Sequence, residues 1–320
     1  PDLADRGYLV YLVERQSVIG GNMAKVYKTF PTDDCTMCIL SPKLNDVGAH
    51  LNIKLCAYSE VKSVEGEGGR FKVKILKKPR YVDVSKCTGC GTCAEKCPSK
   101  VPDDWGKIGF RKAIYLPFPQ GVPLKYTIDS EHCLYFTKGI CKVCEKLCPA
   151  KAINFDDKPE EVEIEVGAII AATGWQEFDP TKVGRYGYGV YKNVVTQLQL
   201  ARMFDPVGPT GGKLLRPSDN KTAKKIVMVQ CVGSRDERYC AYCSTVCCMV
   251  ALKHAQLIKI EQLPDADITI CYIDMRASGK GYEEYYKRAQ TLGINFVRGN
   301  VAEVFENSVT KDLSVKVEDT

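Results

Sequence analysis

One unbroken stretch restricts this chain more than any other: Cys87-Thr-Gly-Cys90-Gly-Thr-Cys93-Ala-Glu-Lys-Cys97-Pro98. Its two-residue spacers fold into a tight loop that aims three thiolates at three corners of one iron–sulfur cubane, while the fourth thiolate, ahead of a chain-turning proline, goes to a different cluster. Gly89 and Gly91 let backbone amides approach the inorganic sulfides. A second run follows, Cys133 and then Cys141-Lys-Val-Cys144-Glu-Lys-Leu-Cys148-Pro149, with the same Cys-Pro ending but seven residues between Cys133 and Cys141. A longer loop still brings that thiolate round. The crossed pattern therefore assigns Cys87, Cys90, Cys93 and Cys148 to one cluster, and Cys97, Cys133, Cys141 and Cys144 to the other.

The chain holds 17 cysteines among 320 residues, against three histidines. Disulfide scaffolds are usually short and loop-rich, whereas this chain has enough apolar strands and helices for a real core. Structural zinc takes four ligands in separated pairs, often with histidine, so the close-set runs favour iron and sulfide. Both runs together resemble a bacterial two-cluster ferredoxin. Between them, residues 101–130, rich in proline and aromatics, read as an ordered connection covering the clusters or as a docking surface. The net charge of +6 comes from 45 basic residues interspersed with 39 acidic ones. That is a solvated surface, and it argues against nucleic-acid binding. Apolar stretches such as 166–173 fall far short of the ~20 residues of a membrane span, so no transmembrane segment and a cytoplasmic location are expected.

Around this insert the chain reads as an α/β nucleotide-binding fold. Gly7-Tyr-Leu-Val-Tyr-Leu-Val13 is a continuous apolar run ending in Glu14-Arg15, as in a buried parallel strand with a carboxylate at its carboxyl end. Such a carboxylate accepts hydrogen bonds from adenosine ribose hydroxyls, about 20 residues after the phosphate-binding glycines. Those glycines would lie upstream of Pro1, so the chain is expected to begin inside a domain. Next comes Ser17-Val-Ile-Gly20-Gly21-Asn-Met23, and the Glu-Arg-x4-Gly-Gly arrangement resembles flavoproteins with two dinucleotide-binding domains. In those proteins the paired glycines pass beside the flavin pyrophosphate, which implies FAD contacts at Glu14, Arg15, Gly20, Gly21 and Met23. Residues 163–174 are expected to form a buried strand ending in the Ala-Thr-Gly turn of the same flavoproteins, with Thr173 and Gly174 at the cofactor. The hairpin-like pair 59–66 and 70–78 around Gly68-Gly69 matches the β-meander that precedes that turn, and the ferredoxin segment is expected to sit between meander and turn.

Downstream, strands at 224–230 and 267–274 alternate with helices at 247–263 and 282–292, spelling a further βαβ unit. No Gly-x-Gly-x-x-Gly opens it, so nicotinamide binding is not expected. Cysteines stand where its phosphate loop would be: Cys231, Cys240, Cys243, Cys247 and Cys248.

The strings Phe30-Pro-Thr-Asp-Asp-Cys-Thr-Met-Cys-Ile-Leu-Ser-Pro-Lys43, Tyr186-Gly-Tyr-Gly189, Lys213-Leu-Leu-Arg-Pro-Ser-Asp219, Cys231-Val-Gly-Ser-Arg235 and Gly279-Lys-Gly-Tyr-Glu283 resemble the flavin- and iron–sulfur-containing electron-transfer subunit of heterodisulfide reductase, with its relatives. The resemblance covers essentially all of the chain and implies a fragment lacking both ends of such a protein. It implies a thioredoxin-reductase-like two-dinucleotide-binding-domain flavoprotein fold, an inserted α+β two-cluster ferredoxin domain, one FAD and about three 4Fe-4S clusters. It also implies that the third cluster uses Cys231, Cys243, Cys247 and Cys248, with Cys240 spare. The implied domains are residues 1–80 and 158–222 for FAD, 81–157 for the ferredoxin insert, and 223–320 for the second nucleotide fold.

By this resemblance the protein is an oxidoreductase subunit of a cytoplasmic hetero-oligomeric complex, active only within that complex. It implies electron bifurcation between a disulfide-reducing partner and ferredoxin, with hydrogenase-type or formate dehydrogenase-type donors, as in methanogenesis. Alternatives are the electron-input subunit of an acyl-CoA, methylenetetrahydrofolate or quinone-interacting reductase complex, or a flavin-free iron–sulfur adapter. Lys253, five residues beyond Cys248, is placed as a catalytic cation beside the reactive flavin nitrogen, against the alternative of a solvent-facing lysine. Cys35 and Cys38 read as a redox dithiol, as partial cluster ligands with Cys56, or as buried small hydrophobes. Cys271 reads as core, and the histidines as structural.

Overall fold

A computed structural model describes residues 1–319 as a mixed α/β protein with several small sheets. The chain divides into two compact units: residues 1–24 with 37–174, and residues 25–36 with 175–320. The 25–36 segment groups with the second unit.

In the first unit, the strand Val10–Glu14 pairs in parallel with Ile53–Ala57. The helix Thr36–Ala49 supplies the crossover that parallel pairing requires. Ala4, Val18, Ile19, Leu44, Val47 and Ile53 form the core here, and Trp105 and Phe118 from the insert's connection complete it, their rings 5.3 Å apart. Part of that connection therefore packs on the core beside the strand Val10–Glu14. A three-stranded antiparallel meander follows: Ser59–Glu67, Arg70–Lys77 and Glu160–Val166. Its first turn needs Gly66 at φ +102, because a Cβ there would stand 2.3 Å from the Arg70 carbonyl oxygen.

Two expectations are corrected at this point. The insert sits inside the meander, between its second and third strands, instead of after it. The strand also ends at Val166, and it is not buried: its outward face is Glu161, Glu163 and Glu165, and residues 167–174 are exposed, Ile170 by 73%. An apolar run is buried in a parallel sheet only when neighbouring strands and both faces are covered. Among the described residues, 168–174 pair with no strand.

The insert closes on itself. Tyr81 to Asp83 bond with Ala152 to Asn154, and Ile114–Tyr115 pairs antiparallel with Thr127–Ile128. Val82, Ile114, Ile128, Ala152 and Phe155 make a small core to which the cysteines of both runs are packed. So small an apolar core is ordinarily supplemented by metal or disulfide.

The second unit is built on a four-stranded sheet. Lys225–Val229, Asp267–Tyr272 and Asn295–Glu306 are parallel, and Leu313–Asp319 adds antiparallel at one edge. The helices Cys247–Leu257 and Tyr282–Thr291 form the two crossovers, as the alternating apolar pattern predicts. The first continues as a π-helical turn, Ile258–Gln262. Met249, Ala251, Leu252 and Ala255 on that helix are fully buried, as are Ile268 and Ile270 on the central strand.

Candidate functional site

Two clefts lie in the insert. The first is lined by Cys87, Cys90, Cys93 and Cys148, with Val82, Tyr126 and Ile153. The second is lined by Cys97, Cys133, Cys141 and Cys144, with Ile114 and Ile128. Each cleft takes three cysteines from one run and the last cysteine of the other.

Local structure explains how the irregular second run reaches this arrangement. Cys133 stands at the start of the one-turn helix Leu134–Lys138, which Gly139 closes at φ +68, and Cys141 follows at φ +79. The extra residues between Cys133 and Cys141 are thus spent on a helical turn and a left-handed reversal, and both thiols return to the same cleft. Cys93 and Cys144 stand on the short helices Thr92–Glu95 and Val143–Leu147.

The donor chemistry fits an iron–sulfur cluster. Burial pushes the Cys93 thiol up to about 12 and the Cys144 thiol up to about 11, so neither ionises readily without added positive charge. The Thr92 hydroxyl beside Cys90 lowers that thiol. Four thiolates on one zinc ion would lie about 3.8 Å apart, given Zn–S bonds of about 2.3 Å. Among the described residues no three cysteine sulfurs lie within 4.8 Å of one another. Each cleft instead gathers four cysteines among apolar neighbours, a soft-thiolate donor set that suits iron and sulfide.

In the second unit Cys231 follows the strand Lys225–Val229 in a left-handed conformation, φ +58, and Cys247 and Cys248 open the helix Cys247–Leu257. Hydrogen bonds from Cys231 and Cys248 hold the Cys247 thiol well below its ordinary value and raise both donors. The positive end of the helix also favours thiolate there. Cys243 accepts from the Thr245 amide at 3.3 Å and is close enough to raise Cys248 electrostatically. Cys240 bonds instead with the Tyr242 hydroxyl. Cys271 is 2% exposed in the central strand. Cys35 and Cys38 are both exposed, against the reading of buried small hydrophobes, and Cys56 is half-buried.

The residues expected at a flavin fall partly together. Glu14 ends its strand and accepts from the Gln16 amide at 2.8 Å, and Arg15 is exposed beside it. Gly20, at φ +124, passes so close to Leu40 that a Cβ would stand 3.3 Å from it, whereas Gly21, at φ +52, faces open space. Met23 lies on the 3₁₀ turn Gly21–Lys25. Gly174, at φ +70, is within reach of Asn22, whose side-chain nitrogen is 3.9 Å from where a Cβ would stand. Thr173 is exposed next to it.

Lys253 does not face solvent. It is 2% exposed, its Nζ donates to the Lys28 carbonyl oxygen at 2.7 Å, and burial lowers it to about 8. Its neighbour His254 is wholly buried, stacked on Phe204, with Nδ1 2.6 Å from Gln197 Oε1, as a structural histidine should be. The sequence reading missed the basic groups around the clefts: Arg80, Lys112 and Lys125. Single lysines and an arginine in connecting segments carry no spacing signal.

The 4Fe-4S binding domain family matches residues 80–103, the first run and its flanks. The chain is 55% identical, over its whole length, to an iron-sulfur subunit of the CoB–CoM heterodisulfide reductase of Methanocaldococcus jannaschii, covering 48% of that protein. It is also 55% identical to the corresponding subunit of the H2/formate:CoB-CoM heterodisulfide,ferredoxin reductase of Methanococcus maripaludis, again covering 48% of it. Against the corresponding subunit of the ferredoxin/F420H2-dependent CoB-CoM heterodisulfide reductase of Methanosarcina acetivorans, 95% of the chain matches at 48% identity, covering 38% of that protein. The chain spans about half the length of the curated relatives it matches, and over that span it is similar along its whole length to these heterodisulfide reductase iron-sulfur subunits.

Proposed function

We propose that this chain is the flavin- and cluster-bearing part of an electron-transferring subunit in a heterodisulfide-reductase-type complex. The observation that carries the reading is the crossed lining of the two clefts, Cys87, Cys90, Cys93 and Cys148 in one and Cys97, Cys133, Cys141 and Cys144 in the other. That crossing is the ligand rule of two-cluster ferredoxins. A third 4Fe-4S cluster is assigned to Cys231, Cys243, Cys247 and Cys248. The proposed fold is that of a two-dinucleotide-binding-domain flavoprotein interrupted by the insert, in support of which stand the parallel pair Val10–Glu14 with Ile53–Ala57 and the approach of Gly174 to Asn22, the residue after Gly20-Gly21.

The residues divide the work as follows. Glu14 accepts from ribose hydroxyls, and Arg15 stays at the solvent edge. Gly20 and Gly21 leave room for a pyrophosphate, with Met23, Thr173 and Gly174 alongside. Lys253 holds a proton in a dry setting where its charge counts for more than it would in water. A bound flavin would take up electrons as a pair and release them singly. The insert's cysteines hold two clusters close enough for electron transfer between them. The partners this implies are a hydrogenase-type or formate dehydrogenase-type donor, ferredoxin and a disulfide-reducing subunit, in a cytoplasmic hetero-oligomer. The names of the relatives, which pair a heterodisulfide with ferredoxin and with H2 or formate, support that choice.

The test is iron content and electron paramagnetic resonance of anaerobically purified protein before and after Cys148→Ser. Three 4Fe-4S clusters amount to about 12 iron per chain. The substitution should remove about one third of the iron and the signal of the cluster held by Cys87, Cys90 and Cys93. Loss of the other insert cluster, that of Cys141 and Cys144, would refute the crossed assignment. Reconstitution with FAD should give one flavin per chain, and a loaded sample without flavin absorbance would leave only a cluster-bearing adapter.

A further inference from the structure

The connection between the two cysteine runs places one lysine at equivalent points before each strand of its short pair. Lys112 stands two residues before Ile114–Tyr115, and Lys125 two residues before Thr127–Ile128. Lys112 Nζ donates to the backbone carbonyl of Cys97 at 2.7 Å, and Lys125 Nζ donates to the backbone carbonyl of Cys87. Cys97 lines the second cleft and Cys87 the first, so each cleft has its own ammonium group on the peptide of one of its cysteines. Both lysines are half-buried, and among the described residues neither forms an ion pair with a carboxylate.

We propose that Lys125 and Lys112 are positioning residues that set the reduction potentials of the two insert clusters separately, Lys125 for the cluster of Cys87 and Lys112 for the cluster of Cys97. The proposal rests on the ligand sets assigned above. A reduced cluster carries one negative charge more than the oxidised one, so a fixed cation at its edge favours the reduced form and raises the potential. The effect weakens with distance, which makes each lysine act chiefly on its own cluster.

The experiment is a dithionite titration of the loaded protein, followed by electron paramagnetic resonance, with Cys148→Ser identifying which signal belongs to the first cleft. Lys125→Met keeps the apolar stem and removes the charge. It should lower the reduced-to-oxidised ratio of the first cluster about tenfold at a fixed potential, equivalent to about 59 mV for one electron, and leave the second within about twofold. Lys112→Met should do the reverse. Lys→Arg at either position should restore the wild-type value. If a methionine variant loads less iron, Lys→Gln, which keeps an N–H donor without the charge, carries the same expectation. Equal shifts of both clusters, or none in either, would overturn the proposal. Unmodified protein lacking two insert clusters would instead overturn the ligand sets themselves, and iron content reads that separately.

Discussion

Lys253→Met is the most direct probe of the second unit, because it removes a buried charge while roughly keeping side-chain volume. Burial lowers Lys253 from its ordinary 10.5 to about 8. At about 1.4 kcal/mol per pH unit, the folded protein bears a penalty of roughly 3 kcal/mol at pH 7 for keeping this ammonium charged. The bond from Nζ to the Lys28 carbonyl oxygen, 2.7 Å long, offsets part of the expense of burial, and its loss should cost about 1.5–3 kcal/mol. The two terms largely offset each other at pH 7, so the variant's stability there should lie within about 2 kcal/mol of wild type.

The pH dependence separates them. Above about 8 the folded chain releases the proton, while the unfolded chain keeps it up to about 10.5. The unfolded state then binds more protons, and stability rises with pH. Between pH 7 and 9 the wild type should gain about 1 kcal/mol that the variant does not, about 2–4 °C in midpoint for a unit of this size. The assay is thermal unfolding of both proteins at one scan rate, anaerobically and without added flavin. Groups other than Lys253 titrate alike in both and cancel in the difference. Parallel midpoint curves across pH 7–9 would show that Lys253 is not a depressed, buried ammonium.

Two further outcomes follow from the same unit. Cys243→Ser should remove the signal of the third cluster and leave both insert clusters in place; simultaneous loss of all three signals would refute the grouping of Cys231, Cys243, Cys247 and Cys248. Leu252, fully buried on the helix Cys247–Leu257, should lose about 2–5 kcal/mol on truncation to alanine, and calorimetry of the loaded protein that found no change would contradict its place in the core.

Much of the architecture was legible because it is written in spacing and period. The first cysteine run, the parallel strand ending at Glu14, the hairpin about Gly68-Gly69 and the βαβ alternation after residue 224 each depend on neighbours within a few residues. Where the structure departs from expectation, the deciding partner lies far away in sequence. Residues 168–174 have the composition of a buried strand, but burial depends on what pairs with them. Lys253 looks like any surface lysine of a helix until the segment 25–36 closes over it through Lys28. Trp105 and Phe118 lie in the connection that read as cover for the clusters, and they fill the core beside the strand Val10–Glu14 instead.

The sequence by itself determined which thiols of the insert share a cleft, since a cubane's corners dictate the two- and three-residue spacers and the exchange of the last cysteine. Only the tertiary structure decided how the seven-residue gap before Cys141 is absorbed, which cations attend which cleft, and which side of the helix Cys247–Leu257 meets the core. Ligand spacing is a local property of the backbone. Charge at a cleft is a sum over distance, and Lys112 and Lys125, 15 and 38 residues from the cysteines they bond, reach it only once the chain is folded.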